Sequence, residues 1–135
     1  MIRWLSLAIG VVSLVTLSAC VVYQESSIAS NEAAAIKGLQ VIYHQEQMKY
    51  STRKKYVPLT ELFEGEDAML SPERYILGYR FSVKPKDDGK SYEAWASPVD
   101  YRRTGRRSFY QTEKGVIHSA DKQGGEATAA DPEIK

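Results

Sequence analysis

A chain of 135 residues with 18 Lys and Arg against 17 Asp and Glu is long enough for one small domain and nearly neutral, so net charge makes no case for binding nucleic acid. A single cysteine excludes an internal disulfide, and packing has to hold the fold together. The two histidines, His44 and His118, lack the partner spacing of a metal site, and no cofactor is expected.

The first twenty residues read M-I-R-W-L-S-L-A-I-G-V-V-S-L-V-T-L-S-A-C. Arg3 supplies a positive start, and Trp4 to Leu17 is an apolar run interrupted by Ser6, Ser13 and Thr16. A run of about 12 to 14 residues is short for a bilayer core that takes about 20, although Val21 and Val22 extend it. Leu17, Ser18, Ala19 and Cys20 resemble the lipobox of bacterial lipoproteins, a large apolar residue and two small ones before a cysteine. The resemblance implies a diacylglycerol on the Cys20 sulfur and cleavage before it. Residues 1–19 are then a signal peptide, and two or three acyl chains would hold the mature chain firmly to a bilayer. The mature chain carries 17 basic and 17 acidic residues, since Arg3 is lost. Val21 is not the aspartate that retains many such lipoproteins in the inner membrane. The implied location is therefore the outer membrane, facing the periplasm or the cell surface.

Residues 20–30 are polar and small enough for a lipidated tether. A helix is expected over 31–51: Ser30 or Asn31 caps it, Glu32 sits in its first turn, and Ala33, Ala34 and Ala35 favour helix. Ala35, Ile36, Leu39, Ile42, Tyr43 and Tyr50 give it one broad apolar face. Pro58 forces extended chain before it, and Leu59, Leu62 and Phe63 read as a short helical turn pinned to the core. Connecting chain follows over 64–74, with Ser71-Pro72 able to start a further turn.

From Tyr75 the period becomes two. Tyr79, Phe81 and Val83 alternate with Arg80, Ser82 and Lys84, in a strand closed by Pro85. Asp88-Gly89 signals a tight turn, Tyr92, Ala94 and Ala96 mark a second strand, and 108–112 and 116–119 form a final hairpin around Glu113-Lys114-Gly115. The fold class is α+β, one helix on an antiparallel sheet of about four strands over 78–119. The domain spans 31–120, and a tail over 121–135, poor in large apolar residues, is expected to fray.

Several stretches carry a second resemblance: S-N-E-A-A-A-I-K-G-L-Q-V-I at 30–42, G-Y-R-F-S-V at 78–83, A-S-P-V at 96–99 and T-G-R-R-S-F-Y-Q-T-E-K-G-V-I-H at 104–118. In order and spacing they resemble the helix, first strand and final hairpin of type IV pilins and pseudopilins. The resemblance implies a structural or protein-interaction role in envelope, secretion or pilus-related assembly, without enzymatic activity. The chain departs from that family at its start. Gly10 is followed by Val11, the fifth residue from there is Val15, and no acidic residue precedes Glu25. The glutamate that registers pilin subunits is absent from that position.

The candidate interaction surface is an arginine loop in which Arg102, Arg103, Arg106 and Arg107 surround Thr104-Gly105 beside Tyr101, Phe109 and Tyr110. Paired guanidiniums next to aromatic rings suit an anionic polymer such as DNA or a phosphate-bearing polysaccharide. The same residues also fit a solvated loop whose aromatics belong to the next strand. Arg53, Lys54 and Lys55 either extend this patch or lie near lipid head groups. Ser108 and Ser119 lack an elbow motif, and Glu64, Glu66 and Asp67 sit in an expected exposed loop.

Overall fold

The computed structural model describes residues 2–63 and 77–135, with side chains from residue 24 onward. One helix, α1 (Ile2–Arg53), is followed by a single turn, α2 (Leu59–Leu62), and then by β1 (Tyr79–Lys86), β2 (Ser91–Pro98), β3 (Arg107–Thr112) and β4 (Ile117–Asp121). The strands form one antiparallel sheet in the order β1-β2-β3-β4, and α1 packs across it. The α+β class, with one long helix on a four-stranded antiparallel sheet, is as the sequence implied.

The start of the helix differs from expectation. Ser30 and Asn31 are not caps, because α1 runs through them without a break. The tether expected over 20–30 is helical too, and Ile28 within it is buried. Between residues 28 and 46 the buried positions are Ile28, Glu32, Ala35, Leu39, Ile42 and Glu46, with Gly38 beside them. Their spacing alternates between four and three, which keeps a stripe on one side of a helix. Gly38 is required by close approach: a Cβ there would lie 2.6 Å from Cζ of Phe81.

The sheet buries Tyr79, Phe81, Tyr92, Ala94, Ala96 and Phe109 toward α1. Phe81 pairs with Ala96, and Ala96 with Phe109, so these side chains stack across three strands on one face. Burial alternates residue by residue along β2, the pattern of a strand with one face on the core. Pro85 does not end β1, as had been expected, but pairs with Tyr92 inside it. An edge strand tolerates the missing N–H. The expected turn falls at Asp87–Gly89, where Asp88 is left-handed at φ 58°. Leu59 and Leu62 are buried as expected, with Phe63 packed against the core. The expected connection at 64–74, including Glu64, Glu66, Asp67 and Ser71-Pro72, falls outside the described residues.

The tail is a correction. Residues 122–135 do not fray but lie back over the outer side of the sheet. Ile134 N–H donates to Ile117 O at 2.9 Å, and Ser119 N–H donates to Pro132 O at 2.8 Å, which adds backbone pairing to the free edge of β4. Trp95 Nε1–H donates to Ala127 O at 3.1 Å, and Ala127 is fully buried. This cover explains why Ser108 to Gln111 are all buried although neighbouring residues of a strand point to opposite faces. The segment is ordered by main-chain hydrogen bonds rather than by large apolar side chains.

Candidate functional site

The arginine loop joins β2 to β3 and folds back on itself. Thr104 N–H donates to Asp100 O at 2.9 Å, Arg102 N–H donates to Gly105 O at 2.8 Å, and Arg102 is left-handed at φ 68°. Gly105 is fixed by Tyr79, whose hydroxyl would lie 2.0 Å from any Cβ there. That hydroxyl donates to Arg107 O at 2.7 Å, and burial raises its pKa well above the ordinary phenol value.

The loop is clamped to the helix over residues 24–32. Gln24 Nε2–H donates to Arg102 O at 3.2 Å, and Asn31 Nδ2–H donates to Thr104 O at 2.9 Å. The Arg106 guanidinium pairs with Glu25. Glu32 is the centre of the clamp: its Oε1 accepts the backbone N–H of Arg106 and of Arg107, each at 3.1 Å, and its Oε2 accepts Arg107 Nε–H at 2.8 Å. Burial alone would raise the pKa of this carboxyl. The backbone N–H bonds from Arg107 and Arg106, the bond from the guanidinium and its charge outweigh burial and hold the pKa below the usual range. Between this stretch of helix and Arg106, Arg107 and Asp121 lies an open cleft of about 320 Å³.

The four arginines therefore do not form one cationic surface. Arg106 and Arg107 turn toward Glu25 and Glu32. Arg103 lies 3.5 Å from Asp100 with its side chain 78% exposed. The Arg102 guanidinium stacks over Tyr101 at 5.4 Å, and the Tyr101 hydroxyl donates to Asp121 Oδ2 at 2.9 Å. Arg53 to Lys55 do not extend the patch. Arg53 pairs with Glu61 and Lys55 with Asp88 at the other end of the domain, roughly 30 Å along the helix from the clamp at a rise of about 1.5 Å per residue.

His44 is exposed and packs edge-on against Tyr43. His118 Nδ1 lies 2.7 Å from Asp131 O, and Ser108 Oγ donates to Gly125 O, so both side chains fasten the tail. Among the described residues no group of three or more His, Cys, Asp or Glu side chains is placed to hold a metal. The side chain of Cys20 lies outside the described residues.

One buried group was not anticipated. Glu46 is fully buried; its Oε2 accepts Val57 N–H at 3.1 Å, while Oε1 has no partner. Burial pushes its pKa up to about 7, against the lowering effect of the Val57 bond. The Tyr92 hydroxyl and Gln111 Oε1 are likewise buried without partners. The available signal is spacing, since Glu32 and Glu46 continue the 4-3 progression of Ile28, Ala35, Leu39 and Ile42, a pattern the apolar residues alone leave incomplete.

Compared with protein-family models, curated proteins and solved structures, the chain matches none.

Proposed function

We propose that this is a lipid-anchored envelope protein whose pilin-like domain works through protein contacts rather than catalysis, held to the membrane by acyl chains on Cys20. The observation that carries the reading is the course of α1. Its second half packs on the sheet, and the same unbroken helix continues toward the lipobox-like Leu17 to Cys20. Cleavage before Cys20 would leave a helix that starts at its own lipid anchor, with no flexible tether between membrane and domain. The clamp of Glu25 and Glu32 on Arg106 and Arg107 supports a rigid unit held at a fixed angle to that helix.

Binding of an anionic polymer through the arginine loop is the second reading. It is weakened because three of its four guanidiniums already face carboxylates. The deciding experiment is the intact mass and N-terminal peptide of the protein extracted from membranes, beside a Cys20→Ala variant. A chain beginning at Cys20 with diacylglycerol on its sulfur, and loss of that species in the variant, is the expected result. An uncut chain indifferent to the substitution would refute lipid anchoring and leave the apolar run itself as the membrane segment.

A further inference from the structure

The two ends of the domain differ in character. At the far end lie the turns at 54–57, 87–90 and 113–115, where Tyr56 N–H donates to Gly89 O at 2.9 Å and exposed charges dominate. The near end, toward residue 20, gathers the start of β1, the end of β2 and the arginine loop. Val99 N–H donates to Gly78 O at 2.8 Å there, which brings together Leu77, 55% exposed, and Val99, 40% exposed. Asp100, Tyr101, Arg102 and Arg103 follow, with Asp100 and both arginines exposed. Apolar side chains, a tyrosine and arginines on one rim form the set that suits the boundary between hydrocarbon and head groups.

We infer that this rim, made by Leu77, Val99, Tyr101, Arg102 and Arg103, rests on the head-group layer of the membrane, with Arg102 and Arg103 taking the phosphates of anionic phospholipids. The inference rests on the membrane-anchored reading above. Its depth is set by one contact: Arg102 O accepts from Gln24, and Gln24 is four residues along α1 from Cys20, about 6 Å at the helical rise. Released from its stack on Tyr101, the Arg102 side chain is long enough to span that distance. The placement is the same whether acyl chains on Cys20 or the apolar run before it enters the bilayer, because the loop is tied to the helix and not to the lipid.

The chemistry also limits the strength of the contact. Three of the four arginines at this end face Asp100, Glu25 and Glu32, and the Tyr101 hydroxyl donates to Asp121, so the rim is locally balanced and is no polybasic magnet. The Arg102 guanidinium stacks on Tyr101, and no described carboxylate forms a salt bridge with it. Insertion of Leu77 and Val99 with one or two guanidinium–phosphate contacts orients a protein that is already anchored.

The test uses protein extracted from membranes and reconstituted in vesicles of phosphatidylcholine with or without phosphatidylglycerol. An environment-sensitive fluorophore is placed at Val99→Cys, or at Lys90→Cys in the far turn. Lipids carrying a nitroxide on the head group quench a probe at position 99 several-fold more than one at position 90, and more so with phosphatidylglycerol. Arg102→Glu with Arg103→Glu lowers the quenching at position 99 at least twofold while the protein still floats with the vesicles. Equal quenching at 99 and 90 in floating protein would overturn the inference alone, and equal quenching in both kinds of vesicle would overturn the assignment to anionic lipid. Protein without an added cysteine that takes the label at Cys20, or that stays out of the vesicles, would instead overturn the reading beneath: the first result its lipid, the second its anchoring and this inference with it.

Discussion

Arg107 donates its Nε–H to Glu32 at 2.8 Å, joining the helix to the first residue of β3 across 75 positions of sequence. The same carboxylate accepts two backbone N–H groups from the loop. Replacing Glu32 by alanine removes all three acceptor contacts and leaves the backbone donors of Arg106 and Arg107 unsatisfied at a part-buried site. The expected loss is about 1 to 3 kcal/mol, read as a lower midpoint in urea. Because the folded-state pKa of Glu32 is lowered, its contribution is present above the unfolded carboxyl value and disappears as pH falls through the folded value. The gap between the parent and Glu32→Gln should therefore narrow in acid; a gap constant from neutral pH to pH 3 would contradict the charge-based account.

Glu46 has the opposite sign. Its folded-state pKa, about 7, lies above the usual carboxyl value of 4.5, so the folded protein holds a proton that the unfolded chain has released. Stability from this group is full below the unfolded value and is lost as pH rises through about 7. Glu46→Gln keeps the shape and an acceptor for Val57 N–H but cannot ionise. The variant should gain on the parent by on the order of 2 to 3 kcal/mol between pH 5 and pH 8. Parallel stability profiles for the two proteins would show that Glu46 ionises without cost in the fold.

Much of this arrangement was legible from residue patterns, and the limits have physical causes. The alternations at Tyr79, Phe81, Val83 and at Tyr92, Ala94, Ala96 located two strands and their buried face. Asp88-Gly89 located the turn, and Pro58 the helical turn after it. Glu32 was misplaced because acidic residues favour both a helix start and a buried site with donors, and only the distant loop distinguishes these cases. Glu46 was missed for a related reason, since its partner is the main chain of Val57. The arginine loop was found as a cluster, but its division into paired and exposed members depends on Glu25 and Glu32, which lie more than 70 positions away.

The contact of Gly38 with Phe81 allows a test in which local and tertiary preferences conflict. Alanine is a better helix former than glycine by about 1 kcal/mol, so an exposed Gly38 would be improved by the change. Here the new methyl would meet the Phe81 ring at 2.6 Å. Overpacking of this kind costs about 1 to 3 kcal/mol, and Gly38→Ala should be net destabilising in thermal unfolding. Adding Phe81→Leu should recover part of the loss, a positive coupling in the double-mutant cycle. Simple additivity would mean that the helix moves away from the sheet at little cost.

Removal of residues 122–135 tests whether the tail belongs to the domain. Its bonds to Ile117 and Ser119 cover the edge of β4, and Ala127 and Gly125 cover Trp95 and Ser108. Truncation would leave Trp95 Nε1–H and Ser108 Oγ to water and present an uncovered edge strand, the surface through which sheets pair between molecules. The truncated chain should unfold at lower temperature, emit at longer wavelength from Trp95, and self-associate as concentration rises. A Ser108→Ala substitution in the full chain isolates one of these contacts and should cost about 1 kcal/mol without association. If the truncated protein instead kept its melting temperature and stayed monomeric, the four strands and α1 would be sufficient alone and the tail would be only a passenger on the sheet.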